Sequence, residues 1–189
     1  MSGDGAGASG VIGPMDVLAF WRTAGPDQWF EKDPDFDAEI ATRFAGLYRA
    51  AVAGELDLWE DTPEGALALV IVLDQFPRNM FRGEPRMYDA DARARAVAAR
   101  AMARGFDRQI APLERRFCYL PLMHSEDLAD QERCLALAAD YGDDEFARHA
   151  ANHADIVRRF GRFPHRNAVL GRITSAEEQA FLDGGGFTG

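Results

Sequence analysis

Apolar side chains recur along this chain at three- and four-residue intervals almost throughout. Phe36, Ile40, Phe44, Leu47 and Ala51 fall on one face of a helix. Asp33 is placed to cap that helix, Pro34 suits its first turn, and Gly54 is placed to end it. Thr62-Pro63 repeats the start signal ahead of Ala66 to Phe76, and Pro77 is expected to stop that segment. An alanine-rich helix is expected from Asp89 to Gly105. Pro112 opens another through Leu113, Phe117 and Leu120, which Pro121 is expected to interrupt. Ser125 is placed to cap a helix from Glu126 to about Tyr141, and the next spans about Asp143 to Phe160, ending at Gly161. Ser175 and Glu178 form a capping box for a short last helix through Phe181 and Leu182. Val17, Leu18 and Trp21 suggest one more near the start. No run alternates with period two; Leu56 to Trp59 is too short to found a sheet on. The pattern predicts an all-α chain of about eight helices, whose short Gly/Pro turns favour antiparallel hairpins.

Composition narrows the class without naming a function. The 189 residues suit one domain, expected over 14–183, between a flexible leader at 1–13 and a loose tail at 184–189 that begins Gly184-Gly185-Gly186. A hydrophobic fraction of 47% and a charged fraction of 28% are globular values. The 31 acidic residues outnumber 21 basic ones, for a net charge of −10, so the surface should repel nucleic acid and anionic membranes. Ala66 to Leu73, the longest strongly apolar run, is too short to cross a bilayer, and the first ten residues lack the features of a signal peptide. Cys118 and Cys134 sit among apolar residues in helical segments and read as buried, reduced thiols, which suits a cytoplasm.

Against this acidic background, Ile156 to Ala176 holds five arginines (158, 159, 162, 166 and 172), a histidine and no acid. Guanidinium groups hold carboxylates and phosphates in bidentate fashion, so the cluster is either an anion site or a neutraliser of the protein's own carboxylates. Within it, Phe163-Pro164-His165-Arg166-Asn167 leads to Gly171-Arg172. Phe76-Pro77-Arg78-Asn79 leads similarly to Arg82-Gly83. Each reads as a helix-ending turn with an aromatic anchor, leaving Arg and Asn to fasten exposed carbonyls or to bind a ligand. A third segment, Glu114-Arg115 through Tyr119 to His124-Ser125, presses charge against an apolar helix and ends in a histidine able to titrate near neutrality. Asp74 sits beside an apolar helix and needs a partner, with Arg78, Arg82 or an arginine of 158–172 as candidates. His149 and His153 share a helix face, but their spacing lacks the glutamate of metalloprotease helices, so neither a metal nor a cofactor is expected.

Taken together, Leu73 to Gly83, Glu114 to Ser125 and Phe160 to Asn167 resemble the bacterial family known as domain of unknown function 924, over about Val17 to Leu182. The resemblance implies paired helices in a tetratricopeptide-like stack. It brings no activity with it.

Three readings of function follow. The leading one is a polar pocket for a small anionic ligand or a peptide carboxylate, built from Arg78, Asn79, Arg82, Arg115, Tyr119, His124, Arg166, Asn167 and Arg172. The second is a hydrolase or transferase acting on an anionic substrate, with His124 or His165 as acid/base. Its mark is a histidine within hydrogen-bonding reach of a carboxylate and opening onto a pocket. No phosphate loop, nucleophile elbow or activated cysteine accompanies it. The third is a scaffold whose groove is flanked by exposed aromatics, with Trp29, Phe30 and Trp59 as candidates. A His124 ring surrounded by Arg78, Arg115 and Arg166 should have a depressed pKa, whereas Glu126 or Asp74 in contact would raise it.

Overall fold

The computed structural model describes residues 11–187; residues 1–10 of the expected leader and 188–189 of the tail lie outside that span. The helices are α1 (Pro14–Ala24), α2 (Pro26–Trp29), α3 (Pro34–Ala53), α4 (Pro63–Val70), α5 (Phe76–Met80), α6 (Asp91–Ala103), α7 (Pro112–Met123), α8 (Leu128–Tyr141), α9 (Asp144–Phe160) and α10 (Ala176–Asp183). Among the described residues there is no strand, so the fold is all-α. None of these helices is long and apolar enough to cross a membrane.

The ends of the helices follow from their local chemistry. The Asp33 carboxylate accepts from the amides of Asp35 and Phe36, Thr62 from Gly65, and Asp143 from Glu145 and Phe146. Ser175 and Glu178 exchange bonds as a capping box. Gly54, Gly142 and Gly161 adopt the left-handed conformation that closes α3, α8 and α9.

Three boundaries depart from expectation, each for a physical reason. Pro77 does not stop its helix. Ile71–Gln75 forms a π turn between α4 and α5, with the Phe76 amide reaching back to Ile71, and the wider turn carries the chain past a residue that has no N–H. Pro121 lies inside α7, which continues to Met123 before His124 caps it. Ser125 is not the cap of α8. Asp127 caps that helix by accepting from the Ala129 amide, while the Ser125 hydroxyl accepts from the Asp127 amide one step upstream.

The main core gathers Trp21, Phe44, Phe76 and Phe117, all essentially inaccessible, around the buried run from Gly65 of α4 through the π turn. Trp29 stacks on Trp21 and donates its indole N–H to the Trp21 carbonyl at 2.6 Å. α7, α8 and α9 pack in succession, and Gly142-Asp143 alone connects α8 to α9, so α9 returns alongside α8 and runs in the same sense as α7. A smaller cluster of Ile156, Val157 and Phe163, with Phe181 and Phe187 against it, secures the C-terminal turn. Phe187 falls in the expected loose tail, yet it folds back onto His153 and His165.

Gly65 offers a test of this packing. A Cβ there would meet the backbone carbonyl of Trp59 and stand 2.8 Å from Thr62 Oγ1. Gly65→Ala should therefore destabilise by about 1–3 kcal/mol through overpacking, although alanine is the better helix former. The urea unfolding midpoint of the variant measures this. A neutral or stabilising result would mean that the Asp57–Asp61 turn can move aside.

Candidate functional site

A cleft of about 410 Å³ opens where three helical faces meet, a volume within the usual range for small-molecule sites. Gln75, Arg78, Asn79 and Arg82 line it at i, i+3, i+4 and i+7, which keeps them on one side of the π turn, α5 and the turn that follows. α7 contributes Arg116, Leu120, Met123 and His124, and α9 contributes Glu145, Phe146, His149 and His153. His165 and Arg166 enter from the turn after α9, Met87 and Tyr88 from the turn Pro85–Tyr88, and Trp29 and Phe30 from α2 and its end. All four histidines of the chain therefore face one cavity.

At one end of the cleft His124 Nδ1 lies 2.9 Å from Asp74 Oδ1. Asp74 is 1% exposed. Its other oxygen accepts from Gln75 at 2.6 Å, and Arg78 Nη1 stands 3.2 Å from the carboxylate. Burial opposes the charge on Asp74, but Arg78 and His124 outweigh it and hold the carboxyl below its ordinary range. His124 is depressed from 6.5, first by burial and then by Arg78, with the paired carboxylate pulling the other way. The direction is the one expected, reached despite a carboxylate in contact. A neutral ring with Nδ1–H directed at Asp74 leaves Nε2 as its free acceptor, on a side chain that lines the cleft.

Arg166 is a differently placed cation. Its guanidinium carbon is 4.5 Å from the Tyr88 ring centre and 4.7 Å from that of Phe163, which fixes its plane. Nη2 donates to the His124 carbonyl at 2.9 Å. The carboxylate nearest to it, Asp91, is 3.7 Å away and lies closer to Arg78, at 3.1 Å. Nε is buried without a partner. Burial and the neighbouring Arg78 both depress the pKa of this guanidinium.

The other expected site residues are placed differently. Arg82 lines the cleft but is forked onto Asp37 at 2.8 and 2.9 Å, and Asn79 donates to the same carboxylate at 2.8 Å. Arg172 forks onto Glu126 at 2.8 Å with both terminal nitrogens. Arg115 donates to the Asp107 carbonyl, and the Tyr119 hydroxyl donates to the Asp107 carboxylate. Asn167 is buried near Thr174. Arg115, Tyr119, Asn167 and Arg172 are thus not cleft residues; each fastens one element to another. His165 does line the cleft. Burial and Arg166 push its pKa down to about 4, and Nδ1 is buried without a partner. His153 donates its Nδ1–H to the His149 carbonyl, 2.8 Å away, and burial lowers its pKa to about 3. Among the described residues no three His, Cys, Asp or Glu side chains are grouped so as to hold a metal ion.

The profile described as "Bacterial protein of unknown function (DUF924)" matches residues 17–186. The chain belongs to the DUF924 family. Among solved structures it is similar to the protein of unknown function ATU0120 from Agrobacterium tumefaciens, at 46% identity over 90% of this chain and 97% of that one, with a TM-score of 0.88. No curated protein matches the chain.

Sequence reasoning missed Tyr88 and Phe187, which line this DUF924 cleft, and Asp91, which pairs with its Arg78. Asp91 reads as an ordinary first-turn acid of α6, and Tyr88 follows no motif; only the tertiary fold lays one beside Arg78 and the other against Arg166.

The three depressed histidines dictate how stability varies with pH. Each prefers to be neutral in the folded state, so its contribution is complete above the unfolded value of 6.5 and is lost as pH falls below it, down to about 4 for His165 and about 3 for His153. His165 and His153 each cost about 1.4 kcal/mol per pH unit in that window. Between pH 6.5 and 5 unfolded carboxylates barely titrate, so urea melts over that range isolate the histidines. His153→Phe, which keeps an aromatic ring against Phe163 and Phe187, should flatten the slope; an unchanged slope would count against a buried neutral His153.

Proposed function

We propose that the cleft binds a small acidic molecule with its anionic group at Arg166. One observation carries this reading. Most of the arginines on this acidic chain sit against a carboxylate at hydrogen-bonding distance, whereas Arg166 lines a cavity, is clamped between two rings, and has its nearest carboxylate 3.7 Å from Nη1. A fixed, under-neutralised guanidinium binds an anion with little ordering cost. His124 and His165 flank it as acceptors or, on taking up a proton, as further donors. The buried free thiols of Cys118 and Cys134 support a reducing compartment such as the cytoplasm.

Calorimetric titration with carboxylic acids and their primary amides tests the reading. Acids should bind and the matched amides should not. Arg166→Gln should lose roughly ten- to hundredfold in affinity, the worth of one charge-assisted hydrogen bond, and Arg166→Lys should lose less. Amides that bind as tightly as acids would sink the proposal.

The Asp74–His124 pair supports a second reading, that of an enzyme. A neutral His124 oriented by a buried carboxylate is equipped to take a proton at Nε2 from a water molecule attacking a bound ester, and to return it to the leaving alkoxide. The rate should then fall as pH drops below 6.5 through the depressed value of His124, and His124→Asn should cost about 10²-fold or more. Wild type and His124→Asn equally inactive across a panel of activated esters would count against it. The scaffold reading has less support: of Trp29, Phe30 and Trp59, only Phe30 is well exposed.

A further inference from the structure

The polarity of the cleft changes along its length, and this bears on what it holds. Arg116 and His124 on α7 are eight residues apart, about 12 Å by helical rise. α9 runs in the same sense alongside, its cleft residues Glu145, His149 and His153 matching that span. The Arg116–Asp143 pair at 2.7 Å sets the level of one end, and the contact of His153 with Phe163 sets the other. At the Arg116 end the cation is paired with the Asp143 carboxylate, and exposed Glu31 and Glu145 also line the cavity there. Phe30, next to Glu31, stacks on Phe117 of α7 and so belongs to this same end. The opposite end has Arg166, whose nearest carboxylate, Asp91, stands 3.7 Å from Nη1, beyond hydrogen-bonding distance. Between them Leu120, Met123 and Phe146 present apolar surface.

On the strength of the anion-binding reading above, we infer that the ligand is an amphiphilic monocarboxylic acid, lying along α7 with its carboxylate at Arg166 and its apolar body over Leu120, Met123 and Phe146 toward Phe30. A second carboxylate at the far end would face Glu31 and Glu145 with no unpaired cation to receive it, so dicarboxylates of the same length are selected against. An apolar body exchanges water for the middle of the cleft, so affinity should climb with chain length until the chain reaches Phe30.

The test is calorimetric titration at pH 7.5 with butanoate, hexanoate, octanoate, octanedioate and octanamide. Affinity should rise about three- to fourfold per methylene, and octanedioate should bind at least tenfold more weakly than octanoate. Phe30→Ser, at a residue 55% exposed and so harmless to folding, should weaken octanoate while leaving butanoate unchanged. Glu145→Gln, also at an exposed position, should narrow the gap between octanedioate and octanoate. Acids preferred over octanamide but with no dependence on length, or octanedioate equal to octanoate, would overturn the amphiphile and leave the anion site standing. A short apolar peptide with a free C-terminus that binds where octanoate does not would overturn the free acid as occupant. Octanamide equal to octanoate would remove the anion site itself.

Discussion

Asp74 is a carboxylate in the driest part of the molecule, and much of the cleft is arranged around keeping it charged. Its burial is offset by Gln75 beside it, Arg78 one helical turn on, and His124 from α7. Arg78 in turn reaches Asp91 at the start of α6, and the carbonyl of His124 accepts from Arg166. One buried charge therefore links the π turn, α6, α7 and the C-terminal turn. Removing either partner of such a group leaves an uncompensated charge in a low-dielectric interior, at a cost of about 3–5 kcal/mol. The same linkage orients the His124 ring.

The π turn is what brings this about. A regular helix through Leu73 to Met80 would have had to break at Pro77, as the residue pattern suggests. The wider turn lets it continue, so Gln75, Arg78, Asn79 and Arg82 form one wall of a cavity instead of a loop. π turns store unfavourable hydrogen-bond geometry and recur at functional sites. Here the turn is wholly buried and carries the charged residue on which the local structure depends.

Most of the arginine cluster neutralises the protein's own acids. Arg159 pairs with Glu177, Arg162 forks onto Glu178, and Arg172 forks onto Glu126. These pairs tie α9 and the following turns to α10 and to the start of α8. Arg166 differs because its neighbours are aromatic rings and a carbonyl, and the acid closest to it is shared with Arg78. The proposed anion site therefore depends on one arginine, set apart from its neighbours by geometry that residue type does not reveal.

Helix positions and caps are local properties, and Asp33, Thr62, Asp143, Ser175 and the closing glycines declared them through side-chain oxygens and backbone freedom that act within a few residues. The prolines at 77 and 121 misled because their effect depends on the turn around them: a π turn and a buried, well-packed helix absorbed what an isolated segment would not. The motif segments around Arg78, His124 and Arg166 were visible as charge placed against apolar helices, a pattern that requires partners. Which partner each residue takes is decided over separations such as the 42 residues between Asn79 and Asp37 or the 50 between His124 and Asp74. Sequence alone therefore determined where the helices lie and which charges demanded satisfaction. Only the packing of α5, α7 and α9 decided that Asp74, His124 and Arg166 share a cavity while Arg115, Tyr119, Asn167 and Arg172 do not, because desolvation and pairing act through space and not along the chain.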